Sequence, residues 1–253
     1  MSSQALSPAG VLKKELDSKV GKFPVMEIFG PTIQGEGALA GVRTHFIRFG
    51  GCPYRCTWCD SMFAVDPKSV SENAIWGDPE GIAHQLRGLK PARWVTLSGG
   101  DPVIWDLMPL VRLIAPKYFL AVETEGAMWR DWILDCSVVT VSPKPPSSGM
   151  ADKLNHNVLM HYASNPISIK VMKVVVFDER DLDFARQLHD KYKGFKFFLT
   201  PGTPQGMPDA ATKWHINQRL CWLSERVLEL DDMLDVVIIP QLHVLAWGTK
   251  RGV

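Results

Sequence analysis

Three cysteines stand close together in this chain, in the run Cys-Pro-Tyr-Arg-Cys-Thr-Trp-Cys that supplies Cys52, Cys56 and Cys59. Cysteine thiolates are the usual ligands of iron–sulfur clusters, and most clusters are held by four of them. Three thiolates would leave one iron of a four-iron cluster free, and an open metal position is where a substrate or cofactor binds. The spacing therefore indicates a catalytic iron–sulfur cluster on one short loop.

A Cys-x-x-Cys pair also occurs in zinc sites and in redox-active disulfides. A structural zinc ion needs four ligands, and the fourth would have to be His45, His84 or a distant cysteine, because the chain has no second Cys-x-x-Cys pair. Cys136 and Cys221 stand among apolar residues and are expected to be small hydrophobic side chains of the core. The cluster is the favoured interpretation, and a zinc-stabilised binding module without catalysis is the alternative.

The elements that must position these thiolates alternate between β-rich runs and helical stretches from Phe23 onward. Continuous Val, Ile and Leu runs are typical of parallel strands, and strand–helix alternation predicts βαβ units. We predict strands over Pro24–Phe29, Thr44–Phe49, Trp94–Ser98, Phe119–Glu123, Val138–Ser142, Val171–Phe177, Lys196–Leu199 and Val236–Ile239. We predict helices near Pro79–Leu89, Trp105–Ala115, Trp129–Leu134, Asp181–Lys193 and Asp209–Leu230.

Length and composition limit the class of protein. The chain has 253 residues, of which 46% are hydrophobic and 22% charged, with a net charge of +1. This composition is typical of a soluble globular protein, and the length suits one α/β barrel-like domain or two small domains. A near-neutral charge gives no reason to expect a nucleic-acid partner, and no apolar run reaches the ~20 residues that span a membrane.

The first 21 residues are polar, and we expect them to form an extension with a short helix from Ser7-Pro8 to Leu16 rather than a signal peptide. The cysteine count is five, which is odd, and three of them share one loop. Disulfides are therefore not expected, and a reducing cytoplasm is the expected location.

Polar motifs follow four of the predicted strands, where the chemistry of parallel sheets gathers. They are the cysteine loop, Ser98-Gly-Gly-Asp-Pro, Glu123-Thr-Glu-Gly and Ser142-Pro-Lys-Pro-Pro. The paired glycines would let the main chain approach a ligand, although Asp101 could simply cap a helix. The Glu123 carboxylate could accept hydrogen bonds from ribose hydroxyls, as in dinucleotide sites, or form a buried ion pair.

Residues outside these motifs could bind a substrate. In Gln34-Gly-Glu-Gly, the amide and the carboxylate could bind the edge of a heterocycle that carries an amide and an amino group. Arg48 could bind a carboxylate through its forked guanidinium. Asp60 and Ser61 offer oxygen ligands that suit Mg²⁺, or a helix cap. Lys173 lies inside an apolar strand, where a lysine either extends to solvent or pairs with a buried acid.

The cysteine spacing resembles that of radical S-adenosylmethionine (SAM) enzymes. Together with Gly-Pro-Thr-Ile-Gln-Gly-Glu-Gly, Ser-Pro-Lys-Pro-Pro-Ser-Ser and the C-terminal Lys-Arg-Gly-Val, it is similar to the 7-carboxy-7-deazaguanine synthase family from about Phe23 to Val253. The resemblance implies an incomplete TIM-like barrel of parallel strands with outer helices, forming a radical SAM core. It also implies a single domain over residues 22–253, whose C-terminal tail folds over the active site.

The resemblance implies a lyase that converts 6-carboxy-5,6,7,8-tetrahydropterin to 7-carboxy-7-deazaguanine with loss of ammonia, in the pathway to queuosine. A deoxyadenosyl radical made from SAM removes hydrogen from the pterin, and SAM is regenerated. The implied cofactors are a [4Fe–4S] cluster, SAM and Mg²⁺. The implied partners are the pterin, an electron donor such as flavodoxin or ferredoxin, and a second copy of the chain in a homodimer.

The resemblance also assigns roles to residues. Those that hold the cluster would be Cys52, Cys56 and Cys59, and Ser61 would contact Mg²⁺, although many relatives have Thr there. Those that contact SAM would be Trp58, Asp60, Gly100, Glu123, Ser142 and Lys144. Those that contact the pterin would be Ile33, Gln34, Gly35, Arg48, Ser98, His243 and Val253. The alternative within the superfamily is an activase that generates a glycyl radical on a partner protein.

Overall fold

The computed structural model describes residues 19–248 and 250–253, and within them nine strands form one sheet. The strands are β1 (Phe23–Ile33), β2 (Arg43–Phe49), β3 (Ile75–Gly77), β4 (Trp94–Gly99), β5 (Phe119–Thr124), β6 (Val138–Val141), β7 (Ile169–Val176), β8 (Lys196–Pro201) and β9 (Val237–Ile238). Their order across the sheet is β3-β1-β2-β4-β5-β6-β7-β8-β9. β1 is antiparallel to both of its neighbours, and all other pairs are parallel. Because β3 and β9 lie at opposite edges, the sheet is open, which confirms the incomplete parallel barrel.

The described helices include four that connect parallel strands and cover one face of the sheet. In chain order the α-helices are α1 (Met62–Val65), α2 (Pro67–Asn73), α3 (Pro79–Arg87), α4 (Met108–Ile114), α5 (His156–Ser164), α6 (Glu179–Lys191), α7 (Asp209–Leu228) and α8 (Leu242–Trp247). In α6, for example, the buried apolar residues Leu182, Ala185 and Leu188 recur every three positions. This spacing places them on one side of a helix, where they join the main hydrophobic core.

The two faces of the sheet have different characters because successive side chains of a strand point in opposite directions. Leu97 of β4 and Val122 of β5 are fully buried in the core beneath the helices. Their neighbours Ser98 and Glu123 point to the other face, where they line a cavity. The concave face is thus the one that can carry a polar site.

The predicted strands are all confirmed, with ends that shift by a few residues. The helix predicted over Trp129–Leu134 is wrong, because this segment forms a 3-10 helix over Asp131–Asp135 instead. The link between β5 and β6 is short, and hydrogen bonds from Ile133 to Arg130 and from Cys136 to Ile133 close it in tight turns. The sequence analysis also missed β3 and the helices α1, α2, α5 and α8.

The helix predicted from Trp105 begins only at Met108, since a 3-10 helix over Pro102–Ile104 precedes it. The helix predicted between Ser7 and Leu16 lies outside the described residues. None of the helices in the described part of the chain is long and apolar enough to cross a membrane.

We predict that Leu97→Ala destabilises the protein far more than Leu228→Ala. Leu97 is completely buried in the central strand β4, whereas Leu228 at the end of α7 is 84% exposed. Truncating a buried leucine costs about 2–5 kcal/mol through lost burial and the cavity left behind, and an exposed site changes by less than about 0.5 kcal/mol. Urea unfolding followed by circular dichroism measures both; equal losses would contradict the assigned core.

Candidate active site

A cavity of about 1410 Å³, its open mouth included, lies at the carboxyl ends of the parallel strands. Every site residue predicted from the sequence lines it. The lining includes Ile33, Gln34, Gly35, Arg48, Cys52, Cys56, Trp58, Cys59, Asp60, Ser61, Ser98, Gly100, Glu123, Ser142, Lys144, His243 and Val253. Residues from widely separated parts of the sequence therefore meet at one place, as expected for strand-end motifs of a parallel sheet.

The cysteine loop has no regular secondary structure and is held by the segment that follows β6. Thr57 N donates to Ser148 O at 3.0 Å, and Trp58 Nε1 donates to Ser147 Oγ at 3.0 Å. Tyr54 Oη donates to Lys153 O at 2.8 Å. The Ser-Pro-Lys-Pro-Pro-Ser-Ser motif thus positions the loop that carries the thiols, in addition to contributing Ser142 and Lys144 to the cavity.

The paired glycines after β4 fix the other end of the cysteine loop. Gly99 has a φ of +122°, and a Cβ there would lie 2.2 Å from Phe49 O. A Cβ on Gly100 would lie 2.1 Å from Gly51 O. Asp101 N donates to Gly51 O at 2.7 Å. Only glycine permits this close approach between main chains, so the two loops form one unit.

Asp101 acts as a cap, which was one of the two roles expected for it. Its Oδ1 accepts from Val103 N at 2.9 Å, and its Oδ2 accepts from Thr124 Oγ1 at 2.8 Å. The capped element is a 3-10 helix. Glu125 lies beside it, and burial together with the Asp101 charge raises the pKa of Glu125 well above its usual range. Burial and the neighbouring Asp101 charge thus favour the protonated form of Glu125.

The three cysteines of the loop are free thiols. Burial raises the pKa of Cys52 and Cys56, and it raises the pKa of Cys59 to about 11. Because metal ligands must be thiolates, binding of iron here releases protons and compensates for the buried charge. Among the described residues, no group of three or more His, Cys, Asp or Glu side chains is close enough together to hold a single metal ion.

Glu123 connects two residues that were assigned to the pterin. Its Oε1 accepts from Gln34 Nε2 at 2.9 Å, and its Oε2 accepts from Ser98 Oγ at 2.8 Å. Gln34 Oε1 in turn accepts from Gly35 N at 2.7 Å. The carboxylate predicted to bind ribose thus also orients the amide and the hydroxyl beside it.

The loop after β1 and the C-terminal helix α8 form another part of the cavity wall. Leu242 N donates to Gly35 O at 3.0 Å, and Gln241 Nε2 donates to Glu36 Oε1. A Cβ on Gly35 would lie 1.9 Å from His243 Nδ1. Gly35 therefore allows the His243 ring to approach the cavity, and burial lowers the pKa of His243, which favours the neutral imidazole.

The last residues of the chain also line the cavity, through Lys250, Gly252 and Val253. Between them, the Arg251 guanidinium lies 3.5 Å from the centre of the Phe63 ring and donates to Glu27 Oε1 at 2.7 Å. Glu27 Oε2 is also 3.5 Å from Arg48 Nη1. One carboxylate thus links the tail to the arginine on β2.

Some lining residues were missed because their types carry no chemical signal in a sequence. They include Phe29, Phe46, Tyr54, Val65, Val175, Phe177, Thr203, Gln205 and Gln241. Strand periodicity could have found Val175 and Phe177, which share a face of β7 with Lys173. Gln241 and Thr203 become neighbours only through tertiary structure.

The donor set fits an iron–sulfur cluster with one open iron. Three thiols face one cavity, and the two remaining cysteines lie elsewhere. Cys136 is in the core as predicted, whereas the prediction for Cys221 is wrong, because it lies on the exposed side of α7. The cavity also offers a carboxylate, a hydroxyl and an ammonium group from Glu123, Ser142 and Lys144. An open parallel barrel with this site at its carboxyl end defines a radical SAM enzyme.

Comparisons with known proteins identify the family within this class. The chain is 38% identical over 242 residues to 7-carboxy-7-deazaguanine synthase of Bacillus cereus, covering 92% of this chain and 100% of that protein. It is 37% identical over 240 residues to the enzyme of that name from Bacillus subtilis, covering 91% and 98% of the two chains. No protein-family model matches.

A solved structure supports the same family. The crystal structure of QueE from Escherichia coli has a TM-score of 0.65 to this chain with 25% sequence identity, covering 91% of this chain and 99% of that one. The chain therefore belongs to the 7-carboxy-7-deazaguanine synthase family. It is an enzyme of queuosine biosynthesis whose class uses a [4Fe–4S] cluster and SAM, and the glycyl-radical activase and zinc-module alternatives are set aside.

We predict that Gly35→Ala weakens binding of the substrate at least tenfold without lowering the iron content. The added Cβ would displace His243, and a shift of about 1 Å in a positioning group can cost 100-fold in rate. Gly194→Ala is the control, because a Cβ there would make only an ordinary contact at 3.6 Å. Iron analysis and the substrate KM measure the two effects; an unchanged KM in Gly35→Ala would contradict the role of this contact.

Proposed function

We propose that this chain converts 6-carboxy-5,6,7,8-tetrahydropterin to 7-carboxy-7-deazaguanine, by ring contraction with loss of ammonia. The observation that carries the proposal is the meeting of the cysteine loop with the Gln34-Gly-Glu segment across one cavity. A cluster alone would define only the class. The Gln34-Gly-Glu segment and His243 of α8 add an amide, a carboxylate and an imidazole, which together can bind a ring that carries amide and amino groups.

In this proposal Cys52, Cys56 and Cys59 hold the [4Fe–4S] cluster. When bound, the cluster and SAM supply a deoxyadenosyl radical that removes hydrogen from the substrate. The chain's own share is placement and exclusion of water. The SAM residues are Trp58, Asp60, Gly100, Glu123, Ser142 and Lys144. Support comes from Glu123, whose oxygens accept from neutral donors only among the described residues, so its negative charge suits a cationic cofactor.

The proposed pterin residues are Ile33, Gln34, Gly35, Arg48, Ser98, His243 and Val253. Arg48 offers a guanidinium for the substrate carboxylate, since its partner Glu27 lies 3.5 Å away and is shared with Arg251. The neutral His243 imidazole has one donor and one acceptor nitrogen. These groups hold the ring in one orientation, so that a single hydrogen is presented for removal.

The proposal also includes a Mg²⁺ site, an electron donor, a homodimer, a cellular location and a domain organisation. Ser61, whose Oγ lies 3.0 Å from Asp60 Oδ1, would contribute to a Mg²⁺ site near the substrate carboxylate, an oxygen-rich setting that this ion prefers. A flavodoxin or ferredoxin would supply the electron, and the enzyme would work as a homodimer in a reducing cytoplasm. Residues 22–253 would act as one domain whose tail covers the cavity, with residues 1–21 as an extension.

The decisive experiment is anaerobic reconstitution with iron and sulfide, followed by reduction and addition of SAM and the carboxytetrahydropterin. Product is followed by absorbance and mass. We expect a deazaguanine acid. A cluster that cleaves SAM and leaves the pterin unchanged would reject the substrate, and a protein that binds no iron would reject the function.

We predict that replacing any of Cys52, Cys56 or Cys59 by serine lowers the iron content severely and abolishes turnover. Each of these thiols faces the cavity. Cys221→Ser is the matched control, because Cys221 is exposed and lies away from the site. Iron and sulfide are measured per chain after reconstitution. Full iron loading in a triplet variant would contradict that cysteine's role.

We predict that removing residues 250–253 weakens substrate binding at least tenfold while iron loading stays close to that of the full chain. The tail contributes Lys250, Gly252 and Val253 to the cavity and is attached through Arg251 to Glu27 and Phe63. It makes no recorded hydrogen bond to the cysteine loop within the described residues. Substrate KM and iron content are compared; equal losses of both would show that the tail supports the fold rather than the substrate.

A further inference from the structure

Lys173 is a buried cation whose hydrogen-bonding capacity is only partly used. It lies in the middle of β7, 8% exposed, among apolar neighbours that pack into the core. Its ammonium group pairs with Glu36 Oε2, the one hydrogen-bond partner recorded for it in the described part of the chain. An ammonium has three N–H donors, so two of them have no partner among the described residues.

These donors face the cavity. Lys173 and Val175 alternate along β7, Phe177 follows directly after the strand, and all three line the cavity, which places the Lys173 side chain on the concave face. Burial lowers the pKa of Lys173 to about 8, so the ammonium form still dominates at neutral pH. A buried donor without an acceptor is destabilising, and a cavity ligand with an acceptor atom would relieve this.

The position of the acceptor follows from the partners of Glu36. Gln241 and Lys173 occupy one lone pair on each Glu36 oxygen, and a carboxylate has about four acceptor positions. Glu36 can therefore still accept from a ring amino group. Lys173, attached to the same carboxylate, offers donors next to it. An acceptor–donor pair of this kind matches a ring edge with an amino group beside a carbonyl oxygen.

We propose that Lys173 is a substrate-contacting residue that determines specificity by donating a hydrogen bond to the ring carbonyl oxygen of the pterin. The inference rests on the proposed function for the identity of the ring. It gives Lys173 a role distinct from that of Glu36: the lysine selects an oxo group, and the glutamate selects an amino group.

The test compares two ligands that differ at one position. Dissociation constants of the reduced carboxypterin and of its 4-amino analogue, in which the ring carbonyl is replaced by an amino donor, are measured anaerobically by calorimetry on the SAM-loaded enzyme. The unsubstituted protein should prefer the oxo compound by roughly ten- to a hundredfold, as expected for a hydrogen bond to a charged donor. Lys173→Met should bring this ratio close to one.

The matched control is Lys170→Met on the same strand. Lys170 donates to the main-chain oxygens of Ala163 and Asn165 and is not part of the cavity lining, so its variant should keep the preference. Glu36→Gln, which retains Lys173, should also keep the preference for the oxo group. If Lys173→Met does not fold, Lys173→Gln gives the decision, because the glutamine amide is a neutral donor whose hydrogen bond is weaker than that of an ammonium and should reduce the ratio.

The ratio of the two dissociation constants distinguishes a direct contact between Lys173 and the ligand from a purely structural role of Lys173. If Lys173 only orients Glu36, both ligands bind more weakly and their ratio is unchanged, which would overturn the inference. A protein without any oxo preference before substitution would overturn it as well. Failure of the proposed function is recognised separately, since it would show as no turnover of the carboxypterin by the unsubstituted enzyme.

Discussion

The structure depends on how an irregular loop is held at the end of a regular sheet. The cysteine loop has no strand or helix of its own, so its main-chain groups must find partners in neighbouring loops. They find them on both sides, in Gly51 with Asp101 after β4 and in Thr57 with Ser148 after β6. Asp181 strengthens the second attachment, because its carboxylate accepts from Ser147 N at 2.9 Å and from Phe177 N at 2.9 Å. The positions of the thiols are therefore set by the register of the parallel strands, and two glycines are needed because no side chain fits between the paired loops.

The substrate side of the cavity is built from the two ends of the described chain. Gln34–Glu36 follow the antiparallel strand β1, and residues 241–253 follow the last strand, so both lie outside the run of parallel strands that carries the cysteines. The bond from Leu242 N to Gly35 O joins them. This contact brings Gly35 and His243 together in one part of the cavity lining, while the parallel strands position the loop that carries the thiols.

The sequence predicted the parallel strands because their apolar runs are long and regular. Cysteine spacing, paired glycines and strand-end carboxylates have few other uses and indicated part of the site, whereas residues such as Ile33, His243 and Val253 were assigned only through the family resemblance. The misses have physical causes. β3 has three residues and pairs only with β1, so its formation depends on a tertiary contact rather than on its own pattern. The Asp131–Asp135 turn contains apolar residues at helical spacing, but the short connection leaves no room for an α-helix. The partner of Lys173 could not be chosen from the sequence, because Glu36 is 137 residues away.

The carboxylates of the cavity show how charge is distributed for two different ligands. Glu36 is paired with a cation, and burial together with the Asp101 charge raises the pKa of Glu125. Glu123 differs from both, since Gln34 and Ser98 satisfy its oxygens without neutralising it. A partly buried carboxylate whose recorded partners among the described residues are neutral donors favours a cation beside it. Arg48 shares Glu27 with Arg251, so two guanidinium groups face one carboxylate and leave positive charge for an acidic ligand. Arg48 is aligned with Ser98 in the pairing of β2 with β4, and Ser98 donates to Glu123, so the strand ends favour a cation and an anion bound side by side.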